Sequence, residues 1–106
     1  MTLSEQEFRL KSDEALQQAR RGLMSLADAD AGFELELQNG VLNLVFEEPS
    51  ETKFVVSPNA PVRQIWVSAM GKSYKLAWSP EKNAFVINAE TLTQLLDRLT
   101  RVFLQQ

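Results

Sequence analysis

Phe33-Glu34-Leu35-Glu36-Leu37-Gln38-Asn39-Gly40-Val41-Leu42-Asn43-Leu44-Val45-Phe46 is the stretch that decides the fold. Phe33, Leu35 and Leu37 alternate with Glu34, Glu36 and Gln38. A period of two sends the apolar set to one side of a strand and the polar set to the other. Asn39-Gly40 then supplies the two residues that tolerate positive φ, as a tight type I′ hairpin turn requires. The return strand, Val41 to Phe46, again puts Leu42, Leu44 and Phe46 on one face. A hairpin with one apolar face needs something to cover it.

The cover lies at the two ends of the chain. Ser4-Glu5-Gln6-Glu7 has the pattern of a capping box, in which the serine and Glu7 each satisfy a backbone N–H at a helix start. Phe8, Ser12, Ala15, Leu16, Ala19, Leu23 and Leu26 recur at steps of three and four, which predicts one helix running to about Ala27. Its middle is lean, with Ala15, Ala19 and Gly22, so a neighbour can approach closely. Thr91-Leu92-Thr93-Gln94 offers a second capping box. Leu92, Leu95, Leu96, Leu99, Val102 and Phe103 follow as a strong apolar stripe.

Between these ends, strands and turns alternate. Glu47 to Glu51 reads as a turn, Lys53 to Ser57 as a third strand, and Pro58 and Pro61 as breaks. Arg63 to Ala69 reads as a fourth strand, Gly71 as a turn and Ser73 to Trp78 as a fifth strand. After a turn over Pro80 to Asn83, Phe85 to Ile87 makes a short sixth. The expected fold class is α+β: a two-layer sandwich, with an antiparallel sheet of about six strands and the N- and C-terminal helices packed on one face. With no internal repeat or linker, residues 1–106 read as a single domain.

Composition narrows the function. The 106 residues carry 14 acids and 11 bases, a net charge of −3, which is the wrong sign for coating nucleic acid. Histidine and cysteine are absent, so thiolate metal sites, disulfides and the commonest general base are excluded together. No glycine-rich phosphate loop occurs, and no serine has a histidine partner. The expectation is therefore a binding protein, not an enzyme. No apolar run is long enough to cross a membrane, and Met1 to Glu14 lacks the apolar core of a signal peptide, so the expected place is the cytoplasm.

Two features remain as candidate sites. Ile65 and Val67 belong on the covered face, which sends Trp66 to the open face beside Gln64 and Ser68. A large apolar ring there marks a contact surface, or else simply covers the sheet under neighbouring aliphatic stems. Trp78, in phase with Leu76 and Tyr74, is expected in the core. The second feature is acidic. Asp28, Asp30, Glu34 and Glu36 stand at alternate positions through the first loop and strand. Carboxylates on one side of an extended segment offer oxygen ligands to a hard cation, and they equally form a solvated edge that discourages sheet-to-sheet pairing.

The order of elements, the Asn39-Gly40-Val41-Leu42-Asn43-Leu44-Val45-Phe46 hairpin and Pro61-Val62-Arg63-Gln64-Ile65-Trp66-Val67-Ser68 together resemble the frataxin family, bacterial type. Thr91-Leu92 and Leu95-Leu96 fit its last helix, and the resemblance covers nearly the whole chain. It implies a non-catalytic role in iron–sulfur cluster assembly. The implied partners are the cysteine desulfurase and the iron–sulfur scaffold protein, bound by a monomer. Trp66 matches the family's exposed docking tryptophan, Gln64 its neighbouring glutamine, and Asn59 an upstream polar residue of the same contact. Weak, exposed binding of iron (Fe2+/Fe3+) on an acidic ridge is implied too, through Asp28, Asp30, Glu34 and Glu36. The family's ridge begins in the second half of the first helix, where this chain has Arg20 and Arg21 and no acid. Frataxin-like folds also serve as non-catalytic accessory subunits of larger redox complexes, which is the alternative expectation.

Overall fold

The computed structural model describes residues 3–28 and 32–106. Helix α1 (Glu5–Leu26) leads into a meander of seven strands. These are β1 (Phe33–Gln38), β2 (Val41–Phe46), β3 (Thr52–Asn59), β4 (Gln64–Ala69), β5 (Lys72–Ser79), β6 (Ala84–Ile87) and β7 (Glu90–Thr91), and helix α2 (Leu92–Leu104) follows directly. The strands lie side by side in chain order and every pair is antiparallel. Among the described residues this leaves β1 as one free edge and the two-residue β7 as the other.

Both helices begin as the sequence predicts. The Ser4 hydroxyl accepts from the Glu7 N–H, while a Glu7 carboxylate oxygen accepts from the Ser4 N–H. Thr91 and Gln94 make the same reciprocal pair at the start of α2. The hairpin turn also takes the expected form, with φ of 54° at Asn39 and 76° at Gly40.

One layer of side chains holds the two helices to the sheet. From the sheet come Leu42, Leu44, Phe54, Val56, Ile65, Val67 and Leu76; from the helices come Leu16, Leu23, Leu95, Leu96 and Leu99, all buried. All six phenylalanines are buried too, and they divide between two ends of the layer. At one end Phe46 lies 5.0 Å from Phe33, 4.8 Å from Phe54 and 4.8 Å from Phe103, centroid to centroid. At the other end Phe85 meets Phe8 edge-on at 5.6 Å and Trp78 at 5.2 Å. Rings at such spacings add attraction beyond the area they bury, which fixes where each helix sits along the sheet. Trp78 is half-buried against this core, with the Lys11 ammonium 5.7 Å from its ring centroid.

The structure departs from the sequence reading in three places. The sheet has one strand more than expected, because Glu90–Thr91 pairs with β6 before α2 begins. The third strand does not stop at Ser57 but continues through Pro58 to Asn59. Its register with β2 ends at Val56, so at Pro58 the strand is paired only with β4, the edge-like position at which a sheet tolerates proline. Arg63 is not part of the fourth strand. It closes a single 3-10 turn, Ala60–Val62, in the left-handed conformation, with φ 54° and ψ 44°.

Candidate docking face

The helices cover one face of the sheet and leave the other to solvent. Strand register determines what that open face presents. One cross-strand row runs Ser57, Trp66, Lys75 through β3, β4 and β5. The next runs Glu36, Asn43, Val55, Ser68, Ser73 from the β1 edge inward. On the other side of the tryptophan row, Asn59, Gln64 and Ala77 stand abreast. Among the described residues on the strands of this face, the full charges are Glu34 and Glu36 on β1, Lys53 on β3 and Lys75 on β5.

Trp66 keeps 37% of its surface exposed, against 0% for Ile65 and 1% for Val67 on either side of it. The alternation expected along β4 is therefore present, and the indole stands on the open face. It is also held there. Its Nε1–H donates to Gln64 Oε1 at 2.9 Å, and the Lys75 ammonium lies 5.0 Å from the ring centroid. A cation over an indole attracts by about 0.5–1 kcal/mol at such an exposed site. Beside the ring is a hollow of about 390 Å³, lined by Val55, Ser57, Ser68, Ser73 and Lys75. An aromatic ring already fixed in place, next to a hollow, with hydroxyls, amides and a single cation around it, suits docking to another protein surface.

Asn59, Gln64 and Trp66, singled out from the sequence, are thus brought into one patch: Asn59 faces Gln64 across the β3–β4 pair, and Gln64 bonds Trp66. Lys75 escaped the sequence reading. A signal for it existed, since Met70-Gly71 is a two-residue turn with φ of 51° and 75°. That turn sets the register that places Lys75 opposite Trp66.

The acidic residues fall differently. Glu34 and Glu36 are exposed on the open face of β1, and Asp28 is exposed just beyond α1; Asp30 lies outside the described residues. Among the described residues, no group of three or more acidic side chains is close enough to hold a metal ion. Alternate residues on a strand are spaced by about 7 Å, so Glu34 and Glu36 make a diffuse negative edge, not a cage. Arg20 and Arg21 are exposed on α1.

Comparison with known proteins adds a family. The family model described as a frataxin-like domain matches residues 1–106. The iron-sulfur cluster assembly protein CyaY of Ectopseudomonas mendocina is 31% identical over 108 residues, covering 100% of this chain and 91% of that protein. The protein of the same name from Cupriavidus metallidurans is 38% identical over 68 residues, 63% of this chain. The matches span 60% of the Cupriavidus relative's length and 64% of that from Paraburkholderia phymatum. The solved structure of frataxin from Psychromonas ingrahamii superposes with a TM-score of 0.73 at 19% identity, over 98% of this chain and 92% of that one, a likeness of fold.

Proposed function

This chain belongs to the bacterial frataxin family, and from that premise we propose that it is a non-catalytic adaptor of iron–sulfur cluster assembly. In this reading it docks on the cysteine desulfurase–scaffold complex through Asn59, Gln64 and Trp66. The observation that carries the reading is the Trp66 indole, which stands on the open sheet face and is fixed there by Gln64 and Lys75. A ring immobilised before contact loses little freedom on binding, so more of its burial appears as affinity. The relatives named as iron-sulfur cluster assembly proteins support the process. The lack of histidine and cysteine supports an adaptor over a catalyst.

Iron enters the proposal as cargo. Asp28, Glu34 and Glu36, which are exposed, would attract it weakly, with Asp30 a further carboxylate of the same stretch of sequence. Single-sided carboxylates without a closed cage give low affinity and strong sensitivity to salt.

The test is a calorimetric titration, with pull-down, of wild type and Trp66→Ala against the same organism's desulfurase–scaffold complex. Binding by wild type that weakens at least tenfold in a folded Trp66→Ala variant supports the proposal. Equal binding by both variants removes the docking face. No binding by wild type at low salt removes the adaptor role and favours an accessory subunit of a larger redox complex.

A further inference from the structure

Arg63 stands immediately before the docking strand in a conformation that an arginine adopts at a cost. Its backbone is left-handed, with φ 54°, a region that glycine enters freely and other residues do not. Its N–H closes the 3-10 turn on the Ala60 carbonyl at 3.1 Å. The side chain then turns back. The guanidinium donates to the Ala60 carbonyl through Nη1, and through Nε to the Leu3 carbonyl at 3.1 Å. One half-buried side chain therefore ties together the start of the chain, the turn after β3 and the start of β4, across 60 residues of sequence.

The position of this tie matters because of what flanks it. Asn59 caps the 3-10 turn on one side without a side-chain hydrogen bond to hold it, and Gln64, which holds the Trp66 indole, follows on the other. The end of β3, Ser57 to Asn59, lies beyond the β2–β3 register, so it has a sheet neighbour on one side only. Such a segment opens locally more readily than the core strands. Backbone strain persists where surrounding contacts over-determine it, and here those contacts are the guanidinium bonds.

The geometry points to Arg63 as a positioning residue. By tethering the β3–β4 connection to the segment before α1, it sets the relative placement of Asn59, Gln64 and Trp66 and thereby the affinity of the docking face. This inference rests on the docking reading above.

The decisive variant is Arg63→Gly, because glycine relieves the left-handed backbone while removing both guanidinium bonds. Arg63→Met, which keeps the apolar stem, and Arg63→Lys, which keeps one donor, accompany it. Residue-resolved amide exchange of the free, full-length protein reads the tether without any partner. Titration against the desulfurase–scaffold complex reads its consequence. In Arg63→Gly the expected result is a melting temperature within about 3 °C of wild type. Amide exchange at residue 63, whose N–H closes the turn, and at Gln64 is expected to rise about five- to tenfold after correction for the intrinsic rate of the new residue, and affinity to fall by a similar factor, as for the loss of one or two modest hydrogen bonds. Arg63→Lys should recover part of both effects, and Arg63→Met should resemble Arg63→Gly in exchange and affinity. Unchanged exchange in Arg63→Gly overturns the tether. Faster exchange with unchanged affinity, while Trp66→Ala still abolishes binding, overturns the positioning role. If Trp66→Ala binds like wild type, the docking reading itself falls; the exchange data then report on the tether alone.

Discussion

Gly22 of α1 faces Thr93 of α2 so closely that a Cβ placed on the glycine would lie 2.8 Å from the threonine Cγ2. The lean middle of α1 is therefore where the two helices approach each other. Glycine inside a helix costs about 1 kcal/mol relative to alanine, so the chain gives up local helix stability for this approach. Gly22→Ala should lower stability in urea denaturation by about 1 kcal/mol, because the overpacking strain exceeds the gain in propensity. In a Thr93→Ala background, which removes the opposing methyl, the same substitution should instead stabilise by about 0.5–1 kcal/mol. Equal effects in both backgrounds would show that the contact does not govern the substitution.

The β1–β2 hairpin turns on two consecutive residues of positive φ, Asn39 and Gly40. Replacing both with alanine places side chains in the left-handed region at roughly 1–2 kcal/mol each. Thermal and urea unfolding should show a combined loss of about 2–3 kcal/mol, given that asparagine already bears part of the cost. A single replacement, Gly40→Ala, should account for more than half of it.

On the docking face, Trp66→Ala should leave the fold intact and cost about 1–2 kcal/mol, as the ring stands on the open face with 37% of its surface exposed. Lys75→Met keeps the aliphatic stem but removes the cation over the indole. In a Trp78→Phe background, where Trp66 is the sole indole, Lys75→Met should alter its emission while melting changes little. An identical spectrum would mean that the ammonium does not sit on the ring in solution.

Two carboxylates give stability a definite acid dependence. Hydrogen bonds from the Ser4 backbone N–H and hydroxyl hold Glu7 below its ordinary value of 4.5. The Arg98 guanidinium, bonded at 2.8 Å to each Glu90 oxygen, does the same to Glu90. A carboxyl whose folded pKa is depressed binds protons more readily in the unfolded state. Its contribution is complete above the unfolded value and disappears as pH falls through the folded one. Stability should therefore decline as pH is lowered from about 5 toward 3. The decline should be shallower in a Glu7→Gln, Glu90→Gln double variant, measured by denaturant midpoints across that range.

Much of this architecture is legible in the sequence because local rules and burial agree. Both capping boxes, the Asn39-Gly40 turn and the alternation that puts Ile65 and Val67 in the core and Trp66 outside follow from spacing alone. What escapes depends on register or on long-range contacts. Glu90–Thr91 is too short to show a period, and it pairs only because β6 lies beside it. Arg63 reads as a strand residue until its guanidinium is seen to reach Leu3. Lys75 carries no pattern of its own; its one signal is the count of residues through the Met70-Gly71 turn, which places it over Trp66. Gln64 and Trp66 share a face because they stand two apart on one strand, whereas Asn59 enters only through the family resemblance and is set opposite Gln64 by the β3–β4 register.

The free edge of β1 has a consequence for the protein in bulk. A six-residue strand with no outer neighbour among the described residues is a template on which another copy can add its own strand. Here Glu34 and Glu36 alternate along that strand, so two copies meeting edge to edge in antiparallel register bring carboxylates against carboxylates. Like charges placed opposite each other destabilise a strand pair. The guard is electrostatic and therefore conditional: salt screens it. Concentrated protein held at low salt is kept apart by these two side chains, whereas high salt weakens that protection and favours pairing of two copies at this edge.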